Sequence, residues 1–168
     1  LVFDTLLNQA LNAARFGRTT WESLTLEAGT PLFETELRGR IPNVVGLRNA
    51  VDFEKGCFVG QEVVSRVENR GQPSRRLVGL RPERVPDSGA AVFSGDEAVG
   101  EVTRAVESPT KEEPIAFAAV DFEVGAEDDD DESASGLSVR VEGEEVPADF
   151  AALPFVEGSD RSARVPEY

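Results

Sequence analysis

The feature that most restricts the fold of this 168-residue chain is a series of short apolar runs that follows Pro73. Apolar and polar residues tend to alternate within these runs, which is typical of strands with one face in a core. The tetrapeptide SGDE (94–97) separates two of the runs and predicts a hairpin turn. Several short strands at such spacing favour a small antiparallel barrel or a sandwich. The runs are RRLVGLRP, AAVF, AVGEVTRAV, IAFAAVDF, LSVRVEG and EEVPADFAAL.

The sequence before these runs has helical spacing at both of its ends. Residues 2–16 repeat apolar side chains at intervals of three and four, and Gly17 then provides a natural helix end. The segment 21–29 fits a short helix or a strand that ends in a turn. Two prolines limit any helix between residues 30 and 53, where we expect mostly irregular structure. Residues 60–67 have the length of two helical turns.

The charge of the chain disfavours several classes of partner. It carries 32 acidic residues against 17 basic ones, a formal net charge of -15, and it has no histidine. Such an acidic surface argues against binding to nucleic acid or to anionic membranes. Abundant acid and scarce lysine predict a surface adapted to high salt, where self-repulsion is screened. The alternative is an ordinary acidic cytosolic protein.

The sequence also gives expectations about location and metal chemistry. No apolar stretch reaches the roughly 18 residues of a membrane-spanning helix, and no signal peptide is recognisable, so we expect a cytoplasmic protein. With one cysteine and no histidine, we expect no metal site within the chain and no internal disulfide. The acidic run at 125–136 predicts a solvated loop. Because the chain opens at Leu1 inside an apolar-periodic segment, we expect a fragment of a longer protein.

Cys57, the single cysteine, is a candidate reactive residue. A helix that starts near Gly60 would bring its partially positive end close to this side chain, and Lys55 adds a full positive charge. Both favour the thiolate, which is the reactive form, whereas two neighbouring acids disfavour it. The residues alone leave two alternatives open: an activated thiol, or a small buried apolar side chain packed beside Phe58.

Residues 55–84 reverse the sign of the charge, because seven basic residues stand there against three acidic ones. On an acidic chain, this stretch predicts a site for an anion, either a phosphate or a polycarboxylate tail. The alternative is that its arginines pair with neighbouring acids. Only Lys55, Arg66 and Arg70 lie close enough in sequence to Cys57 to share a site with it.

The cysteine segment and its surroundings resemble a known family. KGCFVGQE (55–62) resembles the K-G-C-[YF]-x-G-Q-E signature of the YgfZ-type folate-binding proteins, and the similarity continues through VVSRVENRGQPSRRLVGL. WESLTLEAGTPLFETEL (21–37) is similar to a segment that those proteins share with the glycine cleavage T-protein, an aminomethyltransferase. The ending FAALPFVEGSDRSARVPEY resembles the close of the same superfamily. T-proteins usually lack the cysteine, and they often carry an arginine where this chain has Trp21.

The resemblance implies an α+β architecture: a folate-binding body followed by a small antiparallel β-barrel. Residues 1–72 would be the C-terminal part of the T-protein-like folate-binding domain, including the KGCxxGQE segment, and residues 73–168 would be the C-terminal β-barrel domain. The cofactor implied is tetrahydrofolate or a folate derivative, bound mostly by an N-terminal part that this sequence does not contain. The segment that carries the family's folate-binding acid is not in this sequence.

The function that the resemblance implies first is assembly or repair of iron–sulfur clusters, with iron–sulfur client or assembly proteins as partners. Cys57 would be the reactive or transiently ligating thiol, with Lys55 as its activator. Trp21 either packs in the core, which we favour, or forms a ligand-stacking wall. The residues that would shape the loop are Gly56, Phe58, Gly60, Gln61 and Glu62, and the possible folate or anion contacts are Trp21, Glu27, Arg66 and Arg70.

Two other functions remain as alternatives. The first is a tetrahydrofolate-dependent aminomethyltransferase of the glycine cleavage type, in which folate carries the chemistry and protein groups position it. The second is a binding module, in which the barrel contacts a client without chemistry of its own.

Overall fold

The computed structural model describes residues 15–70, 73–124, 136–159 and 161–167, without the side chains of Glu68 and Arg70. The helix predicted at 2–16 and the acidic loop predicted at 125–136 lie almost entirely outside these ranges.

Six antiparallel strands form a closed barrel in the order β1-β4-β3-β2-β5-β6. The prediction of a small antiparallel barrel is therefore confirmed. The hairpin predicted at SGDE is also present, because β2 ends at Ser94 and its partner β3 begins at Glu97. The strands are β1 (Arg75–Pro82), β2 (Ala91–Ser94), β3 (Glu97–Ser108), β4 (Glu113–Asp121), β5 (Leu137–Val141) and β6 (Glu144–Ala151).

Strand β4 is buried on both faces, which explains why its sequence IAFAAV is continuously apolar rather than alternating. Ala116, Ala118 and Val120 point into the cluster that fills the barrel. Ile115 and Phe117 point the other way, into a second cluster outside the barrel. This second cluster also contains Leu26, Leu77 and Phe155, so it joins the segments before and after the barrel to its wall.

Gly100 on β3 allows the barrel wall to close tightly against β4. A Cβ atom at this position would lie 2.4 Å from the carbonyl oxygen of Ala119 and 2.8 Å from Cα of Val120. Any side chain here would push the two paired strands apart, because backbone atoms cannot move aside as a flexible side chain can.

The segment before the barrel consists of helices and short helical turns. The stretch that fitted either a helix or a strand is the helix α1, and the second predicted helix, α2, begins beside Gly60 as expected. Between them the chain makes one π-helical turn and two 3₁₀ turns, so this part is less irregular than predicted. The bounds are α1 (Arg18–Glu27), the π turn (Phe33–Leu37), the 3₁₀ turns (Pro42–Val45 and Arg48–Ala50) and α2 (Gln61–Arg70).

After β6 the chain returns to the segment that precedes the barrel. The Val156 amide donates to the Glu27 carbonyl at 3.0 Å, and the Glu167 amide donates to the Gly46 carbonyl at 2.8 Å. Gly46 has φ +71°, and a Cβ atom there would lie 2.8 Å from Cβ of Pro166. The residues that follow the barrel therefore hold those that precede it. Within the described residues, no helix combines the length and apolar character needed to cross a membrane.

Strand β1 begins at Arg75, close to the predicted domain boundary at 72/73. The division of the chain into two domains at that point stays a prediction.

Gly100→Ala is expected to lower the free energy of unfolding of the chain by about 1–3 kcal/mol, the cost of overpacking a tight contact. Chemical denaturation monitored by circular dichroism measures it. Gly136→Ala is the matched control, because a Cβ atom there meets nothing within 4 Å. Equal stability of the two variants would contradict the tight β3–β4 contact.

Candidate functional site

A buried arginine on the barrel, Arg104 of β3, holds the α1 segment in place. Its Nη1 donates to Oγ1 of Thr25 at 2.6 Å, and its Nη2 donates to the carbonyl of Thr30 at 3.0 Å. The same Nη2 lies 3.4 Å from a carboxylate oxygen of Glu36, and the two side chains are only 7% and 0% exposed. Burial lowers the pKa of Arg104, while the carboxylates of Glu36 and Glu22 oppose that shift.

Glu36 is also held by its own turn, the π turn Phe33–Leu37. Its Oε2 accepts from the Leu32 amide at 2.6 Å and from the Thr35 hydroxyl at 2.7 Å. The carboxylate therefore fixes the geometry of the turn and pairs with the barrel at the same time. This residue belongs to the ETEL part of the family-like segment, and the sequence reading had given it no role.

Glu27 forms a second buried link, between the end of α1 and the β3–β4 turn. Its Oε1 accepts from the Ser108 hydroxyl at 2.5 Å and from the Thr110 amide at 2.9 Å, and Oε2 accepts from the Thr110 hydroxyl at 3.0 Å. Burial raises the pKa of Glu27, but these hydrogen bonds outweigh it and hold the pKa below its ordinary value. The carboxylate predicted to contact folate is thus bonded within the chain, and it is only 5% exposed.

Trp21 is half exposed and stacks on Phe16, with 6.3 Å between the ring centroids. Leu24, three residues later on α1, is exposed as well. The expectation that Trp21 packs in the core is wrong for the described residues, because this face of α1 points away from the barrel. Its role as a folate contact stays a prediction.

The loop that carries Cys57 is shaped by two side chains. Oδ1 of Asp52 accepts from the amides of Glu54 and Lys55 at 2.9 and 3.2 Å. Oε1 of Gln61 accepts from the Phe58 amide at 3.1 Å, which ties the loop to the first turn of α2. Asp52 was missed by the sequence reading, although Asp side chains commonly accept from the backbone amide two residues later, here that of Glu54.

Cys57 is exposed, so the alternative of a buried apolar cysteine is excluded. The loop and α2 enclose an open cleft of about 560 Å³ beside it. Two cation–π contacts lie in the cleft. Lys55 Nζ is 5.7 Å from the ring centroid of Phe58, and the Arg48 guanidinium is 5.5 Å from that of Phe53. Sequence reading missed Arg48 and Phe53. The lining residues are Arg48, Val51, Asp52, Phe53, Lys55, Gly56, Cys57, Phe58, Gln61, Val64, Ser65 and Asn69.

The other predicted loop residues lie around this cleft in different ways. Gly60 has φ +90°, a conformation that glycine adopts without strain, and the chain turns there into α2. Glu62 does not line the 560 Å³ cleft; it lines an adjoining cavity of about 410 Å³ together with Ser65, Arg66 and Asn69. The side chain of Arg70 lies outside the described residues.

The basic stretch at 55–84 is divided by the fold. Arg75 pairs with Glu101 and Asp121, and Arg84 pairs with Glu142 and Glu144. Arg75 and Arg84 therefore pair with acids, as the alternative interpretation of the basic stretch predicts. Lys55, Arg66 and Arg81 have no carboxylate partner among the described residues. Among all the residues that the structure describes, no three or more acidic or cysteine side chains are grouped so that they could hold a metal ion.

Comparison with known proteins assigns the fold to a class. Residues 75–157 match the family model of the glycine cleavage T-protein C-terminal barrel domain. The chain therefore contains the C-terminal barrel portion of the T-protein, or aminomethyltransferase, superfamily.

Particular relatives agree with this class. The chain is 41% identical over 145 residues to an aminomethyltransferase from Streptomyces coelicolor, and the aligned stretch covers 83% of this chain and 38% of that protein. It is 36% identical over 138 residues to an aminomethyltransferase from Geobacillus kaustophilus, covering 80% of this chain and 36% of the relative. The crystal structure of the glycine cleavage system aminomethyltransferase T from Bartonella henselae superposes with a TM-score of 0.78 at 26% identity, covering 93% of this chain and 43% of that one.

The chain thus spans well under half the length of the curated relatives that it matches. The names of these relatives favour the aminomethyltransferase alternative over assembly or repair of iron–sulfur clusters.

Glu27→Gln is expected to destabilise the chain at pH 7 by about 1–3 kcal/mol, because a buried hydrogen-bonded charge is lost. The folded-state pKa of Glu27 lies below the unfolded one, so its stabilisation is fully present above the unfolded pKa, near 4.3. That stabilisation is lost as the pH falls through the folded value, and the deficit of the variant should shrink there. Urea unfolding at neutral and acid pH measures it.

Glu83→Gln removes the same formal charge from an exposed position and serves as the control. A deficit of Glu27→Gln that stays constant from pH 7 to strongly acid pH would contradict the role assigned to the carboxylate.

Proposed function

We propose that this chain is the C-terminal part of a tetrahydrofolate-dependent aminomethyltransferase of the glycine cleavage type. The observation that carries the proposal is the 41% identity to an aminomethyltransferase over 145 residues, a longer stretch than the barrel match at 75–157. The similarity therefore continues outside the barrel. The structural likeness to aminomethyltransferase T, over 93% of the chain, supports the same proposal.

The cleft beside α2 has side chains that fit part of a folate. A folate joins flat aromatic rings to glutamate carboxylates, and the cleft offers the exposed rings of Phe53 and Phe58 together with the charges of Lys55 and Arg48. Its volume of about 560 Å³ lies within the range of small-molecule sites, about 300–1,000 Å³. Most of the folate contacts would come from the N-terminal part that this sequence does not contain.

Within this proposal, the residues of the chain position the ligand and take no covalent part. Tetrahydrofolate, when bound, supplies the amine that accepts the one-carbon unit. Asp52 and Gln61 hold the loop in shape through three hydrogen bonds to its backbone. Glu27 and the Arg104–Glu36 pair hold α1 and the following turns against the barrel.

The iron–sulfur function remains as a second candidate because of one observation, the exposed thiol of Cys57 in a loop that resembles the YgfZ-type signature. The chain contains one cysteine and no histidine, so the remaining ligands of any cluster would have to come from elsewhere. The names of the relatives favour aminomethyl transfer over this function.

The experiment that separates the two candidates is an assay of aminomethyl transfer from a lipoyl-bound donor to tetrahydrofolate, performed with the full-length protein. We expect turnover that depends on tetrahydrofolate, with a change of no more than about 2-fold for Cys57→Ala, since the thiol has no part in the chemistry. Cys57→Ser serves as a second, nearly isosteric variant. The matching cell-based measurement is the activity of iron–sulfur enzymes.

Absence of turnover, together with a loss of iron–sulfur enzyme activity in cells that carry Cys57→Ala, would reject the proposal in favour of the second candidate. Absence of turnover with unchanged iron–sulfur enzymes would reject both and leave the barrel as a binding module.

A further inference from the structure

Lys55 and Arg66 are among the exposed cations of this acidic chain that have no carboxylate partner in the part that the structure describes. The full 168-residue sequence has a formal net charge of -15, so most cations have acids nearby to pair with. Arg75, Arg84 and Arg140 each pair with at least one acid, whereas Arg81 and Lys111 are exposed and, within the described residues, unpaired like Lys55 and Arg66, so it is the position of the latter two in cavities that distinguishes them. Unpaired cations on an acidic protein are available to an anionic ligand.

These two cations lie along one groove. Lys55 lines the cleft of about 560 Å³, Arg66 lines the adjoining cavity of about 410 Å³, and both spaces are bounded by Ser65 and Asn69 of α2. Gln61, Ser65 and Asn69 follow one another at intervals of four residues, so these three polar residues lie along one side of the helix. The groove therefore combines a stripe of amide and hydroxyl groups with Lys55 and Arg48 in one half and Arg66 in the other.

The distribution of charge favours an extended ligand over a compact one. Each cation has an acid near it: Asp52 shares the lining of the first cavity with Lys55, and Glu62 shares that of the second with Arg66. Oδ1 of Asp52 is engaged by two backbone amides. A phosphate concentrates its charge at one point and needs several donors that converge on it. Cations in separate cavities suit a chain of single, spaced carboxylates.

We propose that the groove along α2 binds the γ-linked glutamyl tail of a folate, with Lys55 and Arg66 each pairing with a carboxylate of the tail. The amide links of the tail lie along Gln61, Ser65 and Asn69. Oε1 of Gln61 and Nδ2 of Asn69 are bonded within the chain, so the tail would meet Nε2 of Gln61 and the Ser65 hydroxyl as donors and Oδ1 of Asn69 as an acceptor. This inference rests on the proposed function, because it takes the ligand to be a folate. It assigns the anion site indicated by the basic residues to the tail of that ligand.

The test compares folates that differ only in tail length. Dissociation constants of tetrahydropteroyl monoglutamate and triglutamate for the full-length protein are measured by titration calorimetry at about 50 mM salt, where exposed charges are weakly screened. Two exposed charge pairs predict that the triglutamate binds about 3- to 10-fold more tightly than the monoglutamate. We call this ratio the tail gain. It should decrease as salt is added.

The double variant Lys55→Gln/Arg66→Gln is expected to reduce the tail gain to about 1, since both pairs are removed. The matched control is Arg81→Gln/Lys111→Gln, which removes one Lys and one Arg charge from exposed positions outside the groove and should keep the full tail gain. Glu62→Gln removes the acid beside Arg66 and should increase the tail gain.

An unchanged tail gain in Lys55→Gln/Arg66→Gln, or the same loss in the control variant, would overturn the inference, because the tail would then bind elsewhere or only through overall charge. A wild-type protein that transfers the aminomethyl group to monoglutamyl folate but shows no tail gain would overturn this inference and leave the proposed function intact. A protein that binds no folate of either length would overturn both.

Discussion

The buried ion pair between Arg104 and Glu36 connects the two halves of the chain, and much of the structure depends on it. Arg104 belongs to a barrel strand, whereas Glu36 belongs to a turn in the segment before the barrel. Removing one partner of such a pair typically costs about 3–5 kcal/mol, because the other charge stays buried without compensation. The pair therefore fixes where α1 and the following turns lie on the barrel wall. The Glu27 link to Ser108 acts at a second point of the same contact.

The barrel could be predicted from the sequence because its determinants are local. Alternation of apolar residues and turn signals such as SGDE act over a few residues, and they identify strands without knowledge of their partners. Strand β4 is the exception, since IAFAAV is continuously apolar. Its outward-facing Ile115 and Phe117 are covered by α1 and the tail after β6, which no local pattern reveals. Adaptation to high salt stays a prediction, since it concerns the solvent rather than any contact.

The site could be predicted only in part, because sequence reasoning identifies the type of a residue better than its surroundings. The helix start beside Gly60 and the prominence of the Cys57 loop follow from local glycine and helix patterns. Glu27 was expected to face a ligand, but Ser108 and Thr110, more than 80 positions away, accommodate its carboxylate. Arg48 and Phe53 lie nine and four positions before Cys57, and they line the cleft because the chain turns between them and Cys57. Their proximity in sequence was available, but their residue types alone do not show that they face the same cleft as Cys57.

The return of the chain from Pro166 and Glu167 onto Gly46 has a consequence for how the molecule responds to pulling or extension. The contact at Gly46 lies two residues before Arg48, a residue of the cleft wall, so a force applied to the tail would reach the cleft wall through this contact. The barrel sits between two pieces of chain that touch each other, much as an insert sits within a host. Fusions placed after Glu167 would therefore load the cleft wall directly, whereas fusions at the Gly95-Asp96 turn, between β2 and β3, would load only the barrel.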